Sequence, residues 1–200
     1  MVENQTTDLA EDLPTKEECE YTSCYCEENI WKLCERLRDT GSNIFCDTYA
    51  VFVTNAARKT LVWCQMKGNA KDNLAIWDYH VFLVAKCSEK FVVFDFDTTL
   101  DIPCLFTEYF QKAVRLEDNF LPDFKRVFRV IPASVYLTSF ASDRSHMKDK
   151  NGQFMSPPPL YPPIFCGDCK NNFQDFLSVD PNVGVGEIID VEGFWKKFTS

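Results

Sequence analysis

The chain of 200 residues has only two histidines, a shortage of positive charge and no long run of apolar residues. Its 21 basic residues face 30 acidic ones, a net charge of -9, which argues against a surface that binds nucleic-acid phosphates. The apolar runs are far shorter than a membrane-spanning helix requires. Residues 1–20 are acidic and lack the apolar core of a signal peptide. We therefore expect a cytosolic protein that binds neither nucleic acid nor membrane.

The composition is nevertheless that of a folded domain. Hydrophobic residues make up 46% of the chain, and 18 of its residues are phenylalanine, which a disordered chain would not carry. We expect residues 1–20 to form a flexible acidic tail and residues 21–200 to form a single domain. Ten cysteines occur without a visible secretory signal, so the sequence predicts mostly free thiols in a reducing compartment.

The apolar pattern predicts a mixed fold of the α/β (α+β) class. Apolar residues recur at helical spacing over residues 27–38, and Gly41 follows this helix. Residues 76–86 and 91–96 are the strongest strand signals, and their short connection predicts an antiparallel hairpin. We expect a mainly antiparallel central sheet flanked by helices. Further strands are predicted at residues 49–54, 60–66 and 126–131, and further helices at 106–114, 132–140 and 191–198.

A cysteine lies where the first predicted helix begins. The unpaired N–H groups and partial positive charge of a helix N-terminus stabilise a thiolate, and Cys26 directly precedes residues 27–38. Cys24 lies two residues earlier, so spacing alone leaves the choice of nucleophile open between these two cysteines.

A cysteine nucleophile needs a base, and the two histidines are His80 and His146. His80 lies in the predicted hairpin. One register of the hairpin sets it opposite Asp95, and a turn one residue longer sets it opposite Asp97. Either carboxylate would fix the imidazole tautomer and stabilise the imidazolium. The alternative is a charge pair that serves only to satisfy a buried acid.

The order cysteine, histidine, aspartate is shared by papain-like and transglutaminase-like cysteine hydrolases. The sequence therefore predicts such a core, acting on an amide through a thioester. This chemistry needs no cofactor or metal. The spacing of Cys166 and Cys169 is half of a zinc motif, but no second pair accompanies it.

Four stretches give a more specific resemblance, and together they extend it over residues 21–198. Residues 21–31, 77–81, 95–98 and 140–147 resemble the protein N-terminal glutamine amidohydrolases. The resemblance implies Cys26 as nucleophile, His80 as base and Asp95 as the orienting carboxylate. It implies conversion of an N-terminal glutamine of proteins and peptides to glutamate with release of ammonia. It further implies a monomeric cytosolic and nuclear enzyme, without a cofactor, whose product enters the arginylation branch of the N-degron pathway.

The substrate pocket is predicted from nearness to these stretches. We expect its residues to include Tyr21, Ser23, Tyr25, Trp77 and Asp78, with Asp78, Glu27 or a backbone carbonyl facing the free amine. Two other functions fit the same residues: a cysteine peptidase or a transglutaminase-like acyl transferase. A third is a non-catalytic adaptor that binds partners through the proline-rich residues 157–163.

Overall fold

The computed structural model describes residues 13–118 and 120–199. Residues 1–12 of the predicted acidic tail lie outside the described residues. In the remainder of that segment, Lys16–Glu18 form a single 3-10 turn, and Leu13 and Cys19 pack against the core.

A six-stranded antiparallel sheet in the order β6-β5-β4-β1-β7-β8 forms the centre of the protein. Strands β2 and β3 pair separately. The strands are β1 (Thr48–Thr54), β2 (Thr60–Val62), β3 (Ala75–Trp77), β4 (His80–Cys87), β5 (Lys90–Phe94), β6 (Cys104–Leu105), β7 (Val127–Pro132) and β8 (Glu187–Ile189).

Helices cover both faces of this sheet, which confirms the predicted sheet flanked by helices. They are α1 (Cys26–Asp39), α2 (Phe106–Tyr109), continued by a π-helix (Phe110–Val114), α3 (Ala133–Ser139), α4 (Phe173–Phe176) and α5 (Val191–Lys197). Shorter 3-10 turns occur at Asn43–Asp47, Pro122–Phe124 and Ser145–Met147. None of the helices within the described residues is long and apolar enough to cross a membrane.

Strand β4 is apolar on both sides because it lies between two cores. Leu83 and Ala85 belong to the core that includes Leu33 of α1, whereas Phe82 and Val84 belong to the core that includes α5. Alternating side chains of a strand point to opposite faces, so a central strand packed on both sides becomes a continuous apolar run. This position fixes the start of β4, and with it His80, against the start of α1.

Of the two strongest predicted strands, one is interrupted and the other ends earlier than the apolar pattern indicates. Residues 76–86 are interrupted where the exposed Asp78 accepts the N–H of Tyr79 on Oδ1 at 3.1 Å. Residues 91–96 stop pairing at Phe94, where Oδ1 of Asp95 accepts the N–H of Asp97 at 3.0 Å. Aspartate side chains that bind nearby backbone groups compete with the strand ladder, and hydropathy does not register this competition.

Candidate active site

Cys26 is the first residue of α1, which begins one residue before the helix that the apolar pattern predicts. The side chain of Asn29 fixes the preceding loop: its Oδ1 accepts the N–H of Thr22 at 2.8 Å, and its Nδ2 donates to the Thr22 carbonyl at 2.9 Å. Cys24 has a φ of 72°, in the left-handed region that non-glycine residues seldom adopt. The loop therefore turns sharply into the helix and holds Cys26 at its N-terminus.

The first turn of α1 is polar and yet buried, because partners from later segments reach it. Arg144 donates to both carboxylate oxygens of Glu28, at 2.8 and 2.7 Å. Glu27 accepts the hydroxyl of Tyr79 at 2.9 Å, and its other oxygen lies 3.2 Å from Nε2 of His146. The segment that carries Arg144 and His146 is thereby attached to the helix start beside Cys26.

His80, the first residue of β4, contacts Asp95. Continuing the register Leu83↔Phe94 would set His80 opposite Asp97, but β5 has ended by then. Nε2 of His80 lies 2.8 Å from Oδ1 of Asp95 instead. Hairpin geometry left Asp95 and Asp97 as possible partners of His80, and Asp95 is the one that hydrogen-bonds the imidazole.

Two further residues complete the surroundings of Asp95, and neither was predicted from the sequence. Gln65 Nε2 and the Tyr109 hydroxyl each donate to Oδ2 of Asp95 at 2.8 Å. Both come from segments distant in the chain, and no local pattern marks them. The buried carboxylate is thus fully engaged by hydrogen bonds, which is the usual condition for a charge inside a protein.

The electrostatics of His80 and Asp95 favour the charged pair. Burial alone would raise the pKa of Asp95, but the His80 ring and the donors Gln65 and Tyr109 hold that pKa below its ordinary value. Burial alone would lower the pKa of His80, but the carboxylates of Asp95 and Asp97 raise it. The site can therefore hold an imidazolium, which is the state of a base that has accepted a proton.

Trp77 covers the imidazole. Its ring stacks on that of His80 with centroids 5.6 Å apart and an interplanar angle of 13°. This contact limits the access of solvent to the bond between His80 and Asp95, and it fixes the orientation of the ring.

The Cys26 thiol lies among negative charges. Burial raises its pKa well above the ordinary value, and the carboxylates of Glu27 and Asp97 add to this, whereas a hydrogen bond from the backbone of Val81 acts in the opposite direction. Sγ of Cys26 lies 3.7 Å from Oε2 of Glu27. In the ligand-free protein the neutral thiol is therefore the favoured state.

Cys24 has the opposite balance. Burial would raise its pKa, but hydrogen bonds from Lys67, Ser23 and Ser156 lower it below the ordinary value. Nζ of Lys67 lies 2.8 Å from its sulfur. The cysteine next to the acids is thus the harder one to ionise, and the cysteine next to the lysine is the easier one.

A cavity of about 540 Å³ opens onto these groups. Cys24, Cys26 and His80 line it together with the predicted Trp77 and Asp78. His146 and Asp97 also line it. The remaining wall residues were not indicated by the sequence: Arg58, Tyr79, Met147, Met155, Phe173, Gln174 and Leu177.

The other three predicted pocket residues lie outside this wall. Tyr25 is fully buried, and its hydroxyl donates to the Ser156 carbonyl at 3.1 Å. Tyr21 donates to Asp97 at 2.7 Å, and Ser23 accepts a hydrogen bond from Lys67 at 2.8 Å. Tyr21 therefore adjoins the cavity through Asp97, and Ser23 adjoins it through Cys24, whose sulfur lies 3.7 Å from the Ser23 hydroxyl. Tyr25 supports the loop from behind.

Side chains that could hold a metal ion occur at the same place. One ligand atom each of His80, Asp95 and Asp97 lie within 4.8 Å of one another. Hydrogen bonds already engage both oxygens of Asp95 and one nitrogen of His80, so an ion would have to displace them. We assign no metal to this cluster.

No disulfide bond joins any of the ten cysteines, all of which lie within the described residues. Cys166 and Cys169 face each other across a tight turn through reciprocal backbone hydrogen bonds of 3.1 and 2.9 Å. Within the described residues, no third or fourth metal-binding side chain joins them.

Comparison with known proteins gives one consistent family. A sequence model described as N-terminal glutamine amidase matches residues 21–198. The protein of Homo sapiens named protein N-terminal glutamine amidohydrolase is 46% identical over 94% of this chain and 91% of its own length. Proteins of the same name from Danio rerio and Drosophila melanogaster are 43% and 40% identical, over 92% and 96% of this chain and 92% and 94% of their own lengths.

Proposed function

Because the chain belongs to the N-terminal glutamine amidase family, we propose that it hydrolyses the side-chain amide of an N-terminal glutamine to glutamate and ammonia. The chain is accordingly an amidohydrolase. One observation from the structure supports this proposal most directly. Cys26, the first residue of α1, and the buried His80 line the same cavity, and His80 is hydrogen-bonded to Asp95 behind it.

In the proposed mechanism, Cys26 is the nucleophile and His80 the base. Nε2 of His80 is engaged by Asp95, which leaves Nδ1 to accept the proton of the thiol. The thiolate attacks the carboxamide carbon, and the imidazolium returns the proton to the departing ammonia. Water then hydrolyses the thioester and releases glutamate, with His80 again acting as the base.

The developing oxyanion needs donors beside Cys26. The first helical hydrogen bond of α1 runs from the N–H of Asn29 to the Tyr25 carbonyl, so the N–H of Cys26 has no partner inside the helix. This N–H is placed to act as one oxyanion donor, in the manner typical of thiol hydrolases.

We propose a papain-like or transglutaminase-like core for the domain. The support is the arrangement itself: α1 presents Cys26 at its N-terminus to an antiparallel sheet, and adjacent parts of that sheet carry His80 and Asp95. In the same proposal, residues 21–200 form one catalytic domain and residues 1–20 form its tail. The protein acts as a monomer in the cytosol and nucleus, and its product enters the arginylation branch of the N-degron pathway.

The five residues that the sequence predicted for substrate binding keep that role in the proposal, but they act from different places around the cavity. Trp77 and Asp78 contact the substrate directly from the cavity wall. Tyr21 acts through the cavity residue Asp97 and Ser23 through the cavity residue Cys24, and Tyr25 holds the loop that presents Cys26.

Mass spectrometry on synthetic peptides tests the function. We expect a peptide with N-terminal glutamine to gain the mass difference between –NH2 and –OH, and to release ammonia. The same peptide acetylated at its amine, or beginning with asparagine, should remain unchanged. The Cys26→Ser variant should be inactive, and full activity in that variant would remove Cys26 from the mechanism.

The same assay separates the alternative functions. A cysteine peptidase would shorten the peptide, and a transglutaminase-like acyl transferase would attach an added amine to it. An adaptor would leave every peptide intact. Its proline-rich segment is held to the domain, since Arg144 donates to the carbonyls of Pro159 and Pro162 at 3.2 and 3.4 Å.

A further inference from the structure

Asp97 is a buried carboxylate on the cavity wall with half of its hydrogen-bonding capacity unused. Only 4% of the residue is exposed, and Oδ1 accepts the Tyr21 hydroxyl at 2.7 Å. Among the residues that the structure describes, none donates to Oδ2, and no lysine or arginine forms an ion pair with this carboxylate. A buried carboxylate without a cation is unfavourable unless a ligand supplies one.

The other buried acids near Cys26 already have partners. Asp95 is paired with His80 at 2.8 Å. Glu27 accepts the Tyr79 hydroxyl on Oε2, and its Oε1 lies 3.2 Å from Nε2 of His146 without forming a hydrogen bond. Among the described residues, Asp97 is therefore the buried carboxylate that lines the cavity without a cationic partner, and a cationic ligand group matches it.

Asp97 also lies close to His80, the proposed base. One of its oxygens is within 4.8 Å of a ring nitrogen of His80. In glutamine a short carbon chain joins the α-amine to the carboxamide, so an amine bound at Asp97 keeps the carboxamide close to His80 and Cys26. Asparagine is one carbon shorter, and its carboxamide would fall short of the same position.

We propose that the Asp97 carboxylate binds the α-ammonium of the substrate, and that this bound cation stabilises the Cys26 thiolate. The inference rests on the proposed function and adds to it a receptor for the amine and a reason for the amine requirement. The bound ammonium offsets the field of the acids around Sγ. The proton of the thiol then passes to Nδ1 of His80, and Asp95 stabilises the resulting imidazolium.

Two other carboxylates are less suited to bind the amine. Asp78 lines the cavity, but it is exposed and its Oδ1 accepts the N–H of Tyr79. Water and salt weaken an ion pair in such a position. Glu27 is fully buried and does not line the cavity.

The proposal explains why a free amine would matter for the reaction and not only for binding. A substrate with a neutral, acetylated amine would leave the acids around Cys26 uncompensated, so the thiol would stay protonated. The enzyme would thus carry a poorly ionised cysteine until the correct N-terminus is bound, which limits attack on other amides.

Thiolate absorbance in the ultraviolet tests this directly. The signal of Cys26 is the difference between the wild-type protein and the Cys26→Ser variant, titrated with pH. The probe is a peptide that begins with norvaline, which has the carbon chain of glutamine but no carboxamide to hydrolyse. When the norvaline peptide saturates the protein, we expect the midpoint of the Cys26 titration to fall by about one pH unit or more. The N-acetylated form of this peptide should leave the midpoint unchanged.

Variants localise the effect. Asp97→Asn should lower the midpoint of the peptide-free protein and abolish the response to the peptide. Asp101→Asn, at an exposed site four residues later, is the matched control and should behave as wild type. If Asp97→Asn does not fold, the free-amine and acetylated peptides compared on the wild-type protein still test whether a bound ammonium lowers the pKa of Cys26.

Calorimetric titration measures binding of both peptides in parallel. Equal affinity for the two peptides, no binding of the free-amine peptide, or an unchanged midpoint at its saturation would overturn the proposal. Ammonia release is measured separately. A midpoint shift without deamidation would contradict the proposed function alone, and deamidation without a shift would contradict this inference alone.

Discussion

Nε2 of His80 lies 2.8 Å from Oδ1 of Asp95, and the same oxygen accepts the N–H of Asp97 at 3.0 Å. One carboxylate oxygen therefore both ends β5 and orients the imidazole. The other oxygen is held by Gln65 and Tyr109, so Asp95 has no freedom to turn away. His80, the proposed base, is consequently positioned by the backbone turn itself.

Replacing Asp95 by asparagine should lower the pKa of His80, because the raised pKa depends on the carboxylate and burial acts in the opposite direction. We expect kcat to fall at least about a hundredfold, since the imidazolium loses its partner. The chain has only two histidines, so NMR can follow both ring titrations, and a His146→Gln variant assigns them. An unchanged titration of His80 would show that Asp95 does not set its charge.

The same pair should make stability depend on pH in a defined window. The lowered pKa of Asp95 stabilises the fold above the unfolded value of about 3.9, and this contribution is lost as pH falls through the folded value. The raised pKa of His80 stabilises it below the unfolded value of about 6.5, and this contribution is lost as pH rises through the folded value.

The difference in free energy of unfolding between wild type and Asp95→Asn should thus be largest between about pH 4 and pH 6.5. Urea denaturation across the pH range measures it. A difference that is constant from acid to alkaline pH would mean that the pair contributes through packing and not through its charges.

Glu27→Gln should make Cys26 more reactive in the ligand-free protein. The carboxylate next to Sγ raises the pKa of the thiol, and the isosteric amide removes that charge while keeping an acceptor for Tyr79. A fall of one unit in the pKa would speed alkylation by iodoacetamide roughly tenfold at neutral pH. The measurement uses a Cys24→Ser background, so that only Cys26 of the two is followed.

Asp39→Asn, at the exposed end of the same helix, is the control for a general change in charge. It should leave the alkylation rate unchanged. Slower alkylation of Cys26 in Glu27→Gln would contradict the electrostatic explanation of its pKa.

The pair of Glu28 and Arg144 should dominate the attachment of the segment that follows α3. Arg144→Met would leave a buried carboxylate without its cation, and we expect it to lower the free energy of unfolding by about 3–5 kcal/mol. A double variant with Glu28→Met should be less destabilised than the sum of the single changes, with a coupling of about 1–3 kcal/mol. Arg38→Met, which breaks an exposed pair with Asp39, should have little effect.

Urea denaturation of the four proteins of this cycle gives the coupling. Additive effects would mean that the two side chains act independently, in spite of their hydrogen bonds of 2.8 and 2.7 Å.

Much of the fold follows from periodicity, because burial on one or both sides leaves a direct mark on the sequence. Helix α1 was predicted at residues 27–38 and occurs at Cys26–Asp39, and the apolar run of β4 indicated its central position. The predicted strand at residues 76–86 was wrong as a single element, since Asp78 diverts the backbone.

The hydrogen-bond partners of His80 and Asp95 are less predictable from the sequence than the fold is. Sequence geometry placed an aspartate beside His80, but the choice of Asp95 depends on where β5 ends, and a side chain determines that end. Gln65 and Tyr109 meet Asp95 only through tertiary packing, so nothing in their own neighbourhoods marks them. The unused charge of Asp97 likewise becomes visible only when every nearby donor is located.

Cys24 should be more reactive toward alkylation than Cys26, whereas catalysis should depend on Cys26. Lys67 contacts Cys24 at 2.8 Å and lowers its pKa together with two hydroxyl groups, so we expect iodoacetamide to modify Cys24 before Cys26 in the ligand-free protein. Lys67→Met should raise the pKa of Cys24 and slow its alkylation roughly tenfold. Lys71→Met, at an exposed lysine of the same loop, should not.

Catalysis should depend on the less reactive thiol. The sulfur of Cys24 is engaged by Lys67 and Ser23, and no histidine is among its partners, whereas Cys26 shares the cavity wall with His80. Since a bound thioester must be formed and resolved with a base at hand, Cys24→Ser should retain most of kcat and Cys26→Ser should lose it. Ammonia release by the two variants decides between them, and activity in Cys26→Ser with none in Cys24→Ser would assign the nucleophile to Cys24.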